Sequence, residues 1–372
     1  MIYFNNSATS WPKAPGMSDV VKKTLDEIPS PGNRATFSAA GKEETCREAI
    51  AEVMGIGEAE NIVYASCATS GLNMGLLGFP WEQGDVVLTT AAEHNAVLRP
   101  LYLLEKAGKL HCFVMPVSED GRLQAETLDR YLKEYHPRML VLTHASNVTG
   151  AVNDVEVLSA MAKERGCHVF LDASQTAGLY PIQAGKWELD MAVITGHKYL
   201  LGPQGTGALY VSPKISIAPV FTGGTGIRSD EKEMPREMPL RLEPGTQNDT
   251  SLAGLHYALD WNRNHPADTE KVLDLVRDLE DTLRRLGCRV VSTEGMRTPV
   301  LTFVSEKYSP EDIGDMLYGS FDIICRTGLH CAPLIFPYLS MPATGTVRFS
   351  LSRFTTKEET EEVKEALEAI LA

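Results

Sequence analysis

The chain has 372 residues, 43% hydrophobic and 23% charged, with a net charge of −14. That is an ordinary globular composition, long enough for about two to three domains and a large buried core. The acidic balance argues against nucleic acid or an anionic membrane surface as partner, and no run approaches the roughly 18 apolar residues of a spanning helix.

The N-terminus, Met1-Ile-Tyr-Phe-Asn-Asn-Ser, has no basic region ahead of an apolar stretch, so no secretion signal is read there. Helical patterns over 42–54, 96–107, 124–135 and 155–165 alternate with strand patterns over 62–65, 86–89, 111–116, 139–143, 168–172, 191–194 and 208–211. Such alternation predicts an α/β fold with a mostly parallel sheet covered by helices on both faces. Functional groups then belong beyond the carboxyl ends of the strands. Residues 222–250, rich in Gly, Pro, Met and charge, read as a long loop. An amphipathic helix follows over 269–286. Strands are expected within 288–304 and at 346–351, and helices at 309–318 and 357–371. This second region is a smaller α+β unit. The seven cysteines, at 46, 67, 112, 167, 288, 325 and 331, show no Cys-x-x-Cys spacing. Neither a disulfide framework nor a zinc or other metal site is expected, and a reducing cytoplasm is the natural compartment.

Lys198 ends an apolar strand in Ile194-Thr-Gly-His-Lys198 and is followed by a glycine-rich segment. Asp172 ends the preceding strand, His168-Val-Phe-Leu-Asp172. A lysine that forms a Schiff base and an acid that pairs with a pyridinium nitrogen are what pyridoxal phosphate needs. A sheltered strand end also lowers a lysine's pKa, which a surface lysine does not need.

Other candidates surround this pair. Ala68-Thr69-Ser70-Gly71 follows a strand and opens a helix, so its free N–H groups and hydroxyls suit a cofactor phosphate, or form an ordinary helix cap. Thr195 and His197 are close enough along the chain to touch that phosphate. Gln175 could donate to the cofactor's phenolic oxygen. His94, after the strand at 86–89, could stack on a flat ring and move protons, or be structural. Asn147 again follows an apolar strand, where the plainer role is a turn before Gly150. Cys331, in Arg326-Thr-Gly-Leu-His-Cys331, sits in a loop between Gly328 and Pro333. Arg326 and His330 beside it would favour the thiolate, the reactive form, whereas most lone cysteines are small buried hydrophobes. Arg348 could bind a substrate carboxylate bidentately or form an ordinary ion pair.

Together these segments resemble the class V aminotransferases of pyridoxal-phosphate fold type I, and among them the cysteine desulfurase and selenocysteine lyase branch. The resemblance runs over nearly the whole chain. Thr195-Gly-His-Lys198 resembles the family's cofactor-lysine motif. Arg326 to Cys331 resembles the branch's sulfur-accepting motif, with Leu329 where a second histidine is common. The resemblance implies that His94 stacks on the ring, and that Asp172 meets the pyridine nitrogen and Gln175 the phenolic oxygen. It places Asn147 near the phenolic oxygen and the substrate carboxylate, with Ala68, Thr69, Thr195 and His197 at the phosphate. Arg348, with Arg326, would take the substrate carboxylate. Arg241-Leu-Glu-Pro-Gly-Thr246 resembles the segment that reaches the partner subunit's phosphate, which implies a homodimer with shared sites. Residues 15–261 would form the large cofactor domain, and 1–14 with 262–372 the small domain carrying the cysteine loop. Asn5-Asn-Ser-Ala-Thr9 resembles the family's entry loop, although an Asp is more usual near Asn5. The chain starts close to that loop, where many relatives carry a preceding helix, and the region after Cys331 is short. Both departures bear on a possible sulfur-acceptor protein. The activity implied is desulfuration of L-cysteine, or of L-selenocysteine, to alanine with a persulfide on Cys331. An aminotransferase or another pyridoxal-phosphate lyase is the alternative, and a cofactor-bearing scaffold without turnover a third.

Overall fold

The computed structural model describes residues 1–27, 43–291 and 293–372. In chain order the elements are β1 (Ile2–Tyr3), α1 (Met17–Asp26), α2 (Glu43–Val53), β2 (Ile62–Ala65), α3 (Ala68–Gly78), β3 (Asp85–Thr90), α4 (Asn95–Lys106), β4 (Leu110–Met115), α5 (Ala125–Tyr135), β5 (Met139–Thr143), α6 (Val155–Glu164), β6 (His168–Asp172), β7 (Met191–Thr195) and β8 (Gly207–Val211). The remainder are α7 (Asp249–Asn264), α8 (Thr269–Arg285), β9 (Arg289–Val290), β10 (Val300–Val304), α9 (Pro310–Phe321), β11 (Ile323–Ile324), β12 (Arg326–Gly328), β13 (Thr346–Ser350) and α10 (Lys357–Leu371). Lys42, the first residue of one expected helix, lies outside the described residues.

The main sheet has seven strands in the order β2-β8-β7-β6-β5-β3-β4. All pairings from β7 through to β4 are parallel, while β8 is antiparallel to both its neighbours and is the one reversed strand. The sheet is therefore mixed and mostly parallel, as expected for fold type I. Strands β5, β6 and β7 are apolar along nearly their whole length because helices cover both faces. Leu140, Leu142, Leu171 and Ile194 pack on one face, and Val141, Phe170 and Val193 on the other. The sheet consequently lines up the ends of β3, β5, β6 and β7 along one edge. Thr143 lies opposite Asp172, and Asp172 opposite Val193.

A second sheet, β12-β13-β10-β9, is antiparallel and packs under α8, α9 and α10. Its register places Arg326 directly opposite Arg348, and Arg348 opposite Thr302. A bridge from Asn5 to Ser350 ties the N-terminal strand to this sheet. Two helices, α1 and α7, are not among the expected elements. They pack on each other, and α7 also on α2. Leu252, Leu255 and Leu259 line the buried face of α7, and Asn248 caps its start by accepting from Ser251 N. No described helix is long and apolar enough to cross a membrane.

Candidate active site

Lys198 lies just past β7, walled in by protein, and no described residue is a hydrogen-bond partner of its Nζ. Burial pushes its ammonium down to about 8, and Arg348 and Arg326 add to the fall, while Asp172 and Cys331 oppose it. A lysine with that pKa keeps a usable neutral fraction near pH 7, as a covalent amine catalyst requires. The preceding carbonyl, of His197, is gripped by the N-terminal loop. Ser10 N donates to it at 2.9 Å and Lys13 Nζ at 2.9 Å.

Asp172 ends β6 and is buried. Its Oδ1 accepts from Ser174 N at 2.9 Å and from the Ser174 hydroxyl. The other oxygen has no hydrogen-bond partner among the described residues. Gln175 donates from Nε2 to the Ser7 carbonyl at 3.1 Å, and its buried Oε1 is unpartnered. Asp172 and Gln175 are therefore both on the site edge, with one donor of Gln175 already in use.

His94 caps α4: its Nδ1 accepts from Ala96 N at 3.0 Å. That bond leaves the ring proton on Nε2. Burial, with the charges of Lys198, Arg326 and Arg348 and against Asp172, lowers the His94 pKa to about 4. The ring is neutral at pH 7 and has no free basic nitrogen. This geometry suits stacking and hydrogen-bond donation, and gives no support to proton abstraction by His94. Glu93, next to it, is fully buried and accepts from Thr90 Oγ1 at 2.6 Å and Thr143 N at 3.0 Å. Burial pushes its carboxyl up to about 8.

Ala68 and Thr69 open α3, Ala68 buried and Thr69 exposed. Thr195 is buried with its hydroxyl 3.4 Å from the Thr206 carbonyl. The Nδ1 of His197 is buried and unpartnered, and burial, Lys198 and Lys13 lower that ring to about 4. Thr246 is exposed on a loop that turns at Gly245, where φ is 91°.

Arg348 is fully buried. It donates to the Asn147 carbonyl at 2.9 Å and to Asn5 Oδ1 at 3.0 Å, while its Nε is unpartnered. Burial and the neighbouring Arg326 lower its pKa to about 10. Two guanidiniums in cross-strand register make a ready anion site. Arg326 donates from Nη2 to Cys331 Sγ at 3.0 Å. His330 does not add the positive charge expected from the sequence. Its Nε2 meets Thr346 Oγ1 at 2.8 Å, and burial, Arg348 and Arg326 hold its pKa well below the usual value. Arg326 is the cation hydrogen-bonded to the thiol, and Lys198 and Arg348 are near enough to interact with it by charge. Asn147 donates from Nδ2 to the His330 carbonyl at 2.7 Å.

Ser174, Asn5 and Thr346 are site residues the sequence reading missed. An Asp-x-Ser turn after a strand was a usable signal for Ser174. Asn5 and Thr346 reach the site only through the chain's long-range path.

The unpartnered oxygen of Asp172, the buried Nδ1 of His197 and the sheltered Lys198 amine fit a flat, phosphorylated heteroaromatic aldehyde. The fold and this edge define a fold type I pyridoxal-phosphate class of protein. The aminotransferase class-V family model matches residues 2–363, and the chain belongs to that family. Cysteine desulfurases from Shigella flexneri and Escherichia coli (strain K12 / DH10B) are each 30% identical over 346 residues, covering 89% of this chain and 83% of theirs. The apo structure of the cysteine desulfurase from Thermococcus onnurineus NA1 superposes with a TM-score of 0.89 at 25% identity, over 100% of this chain and 94% of the other. The cysteine desulfurase CsdA from Escherichia coli shares the fold, with a TM-score of 0.85 at 24% identity, over 100% and 95%.

Proposed function

We propose that this chain removes sulfur from L-cysteine, leaving L-alanine and a persulfide on Cys331. The chain is an enzyme of the cysteine desulfurase group, the name carried by relatives that match 89% of its length. The observation that carries the residue assignment is Cys331 Sγ at 3.0 Å from Arg326 Nη2, near enough to Lys198 for its charge to act there.

The site residues fit pyridoxal 5'-phosphate, on which class V enzymes depend. When bound, that group supplies a sink for the electron pair left at the substrate Cα. Lys198 would hold the group covalently, and its Nζ is the base placed to take the Cα proton of the substrate. Asp172 would meet the ring nitrogen through the oxygen that Ser174 leaves free. His94 would stack on the ring as a neutral imidazole, Gln175 and Asn147 would meet the phenolic edge, and Ala68, Thr69, Thr195 and His197 would hold the phosphate. Thr246 reaches the phosphate site of a second copy, so the working unit is a homodimer. Analytical ultracentrifugation should show a dimer, and a fully active monomer would exclude the shared site.

Arg348 and Asn147 hold the substrate carboxylate, with Arg326 nearby. The Cys331 thiolate, steadied by Arg326, attacks the substrate sulfur after its thiol proton has left. A sulfur–sulfur bond forms and the Cβ–S bond breaks. The bonding pair stays with the carbon fragment, and a proton at Cβ completes alanine. Selenocysteine suits the same site because selenium leaves with less help.

The test is to incubate the holoenzyme with L-cysteine and follow alanine, sulfide and the mass of the Cys331 peptide. Equimolar alanine and a peptide heavier by one sulfur are expected. Amino transfer to a keto acid without alanine from cysteine would overturn the assignment.

A further inference from the structure

The donor expected to meet the substrate carboxylate is already engaged with the loop of the nucleophile. Asn147 Nδ2 lies 2.7 Å from the carbonyl of His330, the residue before Cys331. The carbonyl of Cys331 itself accepts from Asn95 N at 2.7 Å, next to His94. His330 and Cys331 are consecutive residues in the left-handed region, with φ of 50° and 60°. Neither is a glycine, so this conformation persists only while surrounding contacts hold it. The hydrogen bonds from outside the loop are few: Asn147 and Asn95 on the two carbonyls, Arg326 on the sulfur, and Thr346 on the His330 ring.

An amide nitrogen carries two hydrogens. One of those on Asn147 is on the His330 carbonyl, and the other remains for a ligand. The backbone carbonyl of Asn147 is in turn fixed by Arg348 at 2.9 Å. Asn147 therefore stands between the guanidinium that binds carboxylate and the peptide that carries the thiol.

We propose that Asn147 is the positioning residue for Cys331: its side-chain amide holds the thiol loop in register with the substrate carboxylate site, so that one side chain sets both the place of the carboxylate and that of the attacking sulfur. This rests on the desulfurase reading. It separates Asn147 from Arg348, which touches the carboxylate site but not the Cys331 loop backbone. An aspartate at 147 keeps the shape yet, ionised, cannot donate to a carbonyl. A serine is too short to reach.

The test measures iodoacetamide alkylation of Cys331 in the holoenzyme, read peptide by peptide by mass spectrometry, with the partly accessible Cys67 as internal reference. Asn147→Asp and Asn147→Ser should each speed alkylation at Cys331 by about fivefold, the shift expected when an equilibrium loses one net hydrogen bond, with Cys67 within about twofold of wild type. A merely structural defect would raise both cysteines together and lower the melting temperature in proportion. With saturating L-cysteine, both variants should also make less persulfide than wild type at equal substrate occupancy. Unchanged or slower alkylation of Cys331 in the two variants overturns the proposal, as does a rise shared equally by Cys67. The desulfurase reading fails separately, if wild-type holoenzyme forms no alanine or Cys331 persulfide from cysteine.

Discussion

The sheet edge that carries Lys198, Asp172 and His94 and the loop that carries Cys331 face one site but are held by different means. The first three residues sit at or just past the ends of strands whose side chains are buried against two helical layers. The pKa values of Lys198 and His94 are set mainly by burial, and the strand ends themselves by a ladder of parallel pairings. The Cys331 loop is short, half-buried and left-handed at two non-glycine residues, a conformation costing about 1–3 kcal/mol at each. Gly345 backs it so closely that a Cβ there would meet the Gly328 backbone at 2.3 Å. Hydrogen bonds to the two loop carbonyls and the sulfur, with the buried Ala332 behind them, set the place of the thiol. On the proposed reading, the rigid edge would serve a cofactor that stays put, and the loop a sulfur that must be loaded and passed on.

If the two regions are as distinct as this, breaking one should spare the other. Lys198→Ala should lower alanine formation by about 10³-fold or more and leave no pyridoxyl adduct after borohydride reduction, as seen by peptide mass spectrometry. An adduct on another lysine would dissolve the assignment of the rigid edge. Cys331→Ala should lower cysteine desulfuration by about 10²-fold while leaving cofactor attachment at Lys198 unchanged, because the thiol holds no part of the ring. Equal loss of attachment would mean the regions are not separable. The wild-type apoprotein should capture pyridoxal phosphate faster as pH rises. With a Lys198 pKa of about 8, the neutral amine grows from about 9% at pH 7 to about 50% at pH 8 and levels off above about pH 9. Stopped-flow absorbance checks this, and a flat profile would show that burial does not tune the amine. Ser174→Ala removes the hydroxyl hydrogen bond to Asp172 Oδ1 and leaves the backbone one, and should weaken cofactor retention by about threefold to tenfold, measured by dialysis and fluorescence, without changing Cys331 alkylation.

Much of the rigid edge was legible before any coordinates. Continuous apolar runs put β5 and β6 at the expected residues, and β7 one residue longer. Strands that short and that apolar have one plausible place, inside a covered parallel sheet, and their polar last residues must then face the site. Helix α7 was missed, although Leu252, Leu255 and Leu259 recur at helical spacing, because the Gly- and Pro-rich stretch before it obscures where the loop stops. Helix α1 buries only Met17 and carries little apolar signal of its own.

The sequence by itself determined which groups are available: an amine and an acid at successive strand ends, a cysteine between glycine and proline, and arginines on either side of it. Only the tertiary structure decided their states and partners. His330 and His94 are neutral because burial beside Arg326 and Arg348 disfavours another cation, and His94 has no free basic nitrogen because its Nδ1 accepts from Ala96 N. Arg326 stands against Arg348 because β12 and β13 pair in one register out of several their lengths allow. Asn147 meets the His330 carbonyl across 183 positions of chain. Local spacing encodes which element a residue ends, whereas desolvation and cross-strand register are sums over the whole packed molecule.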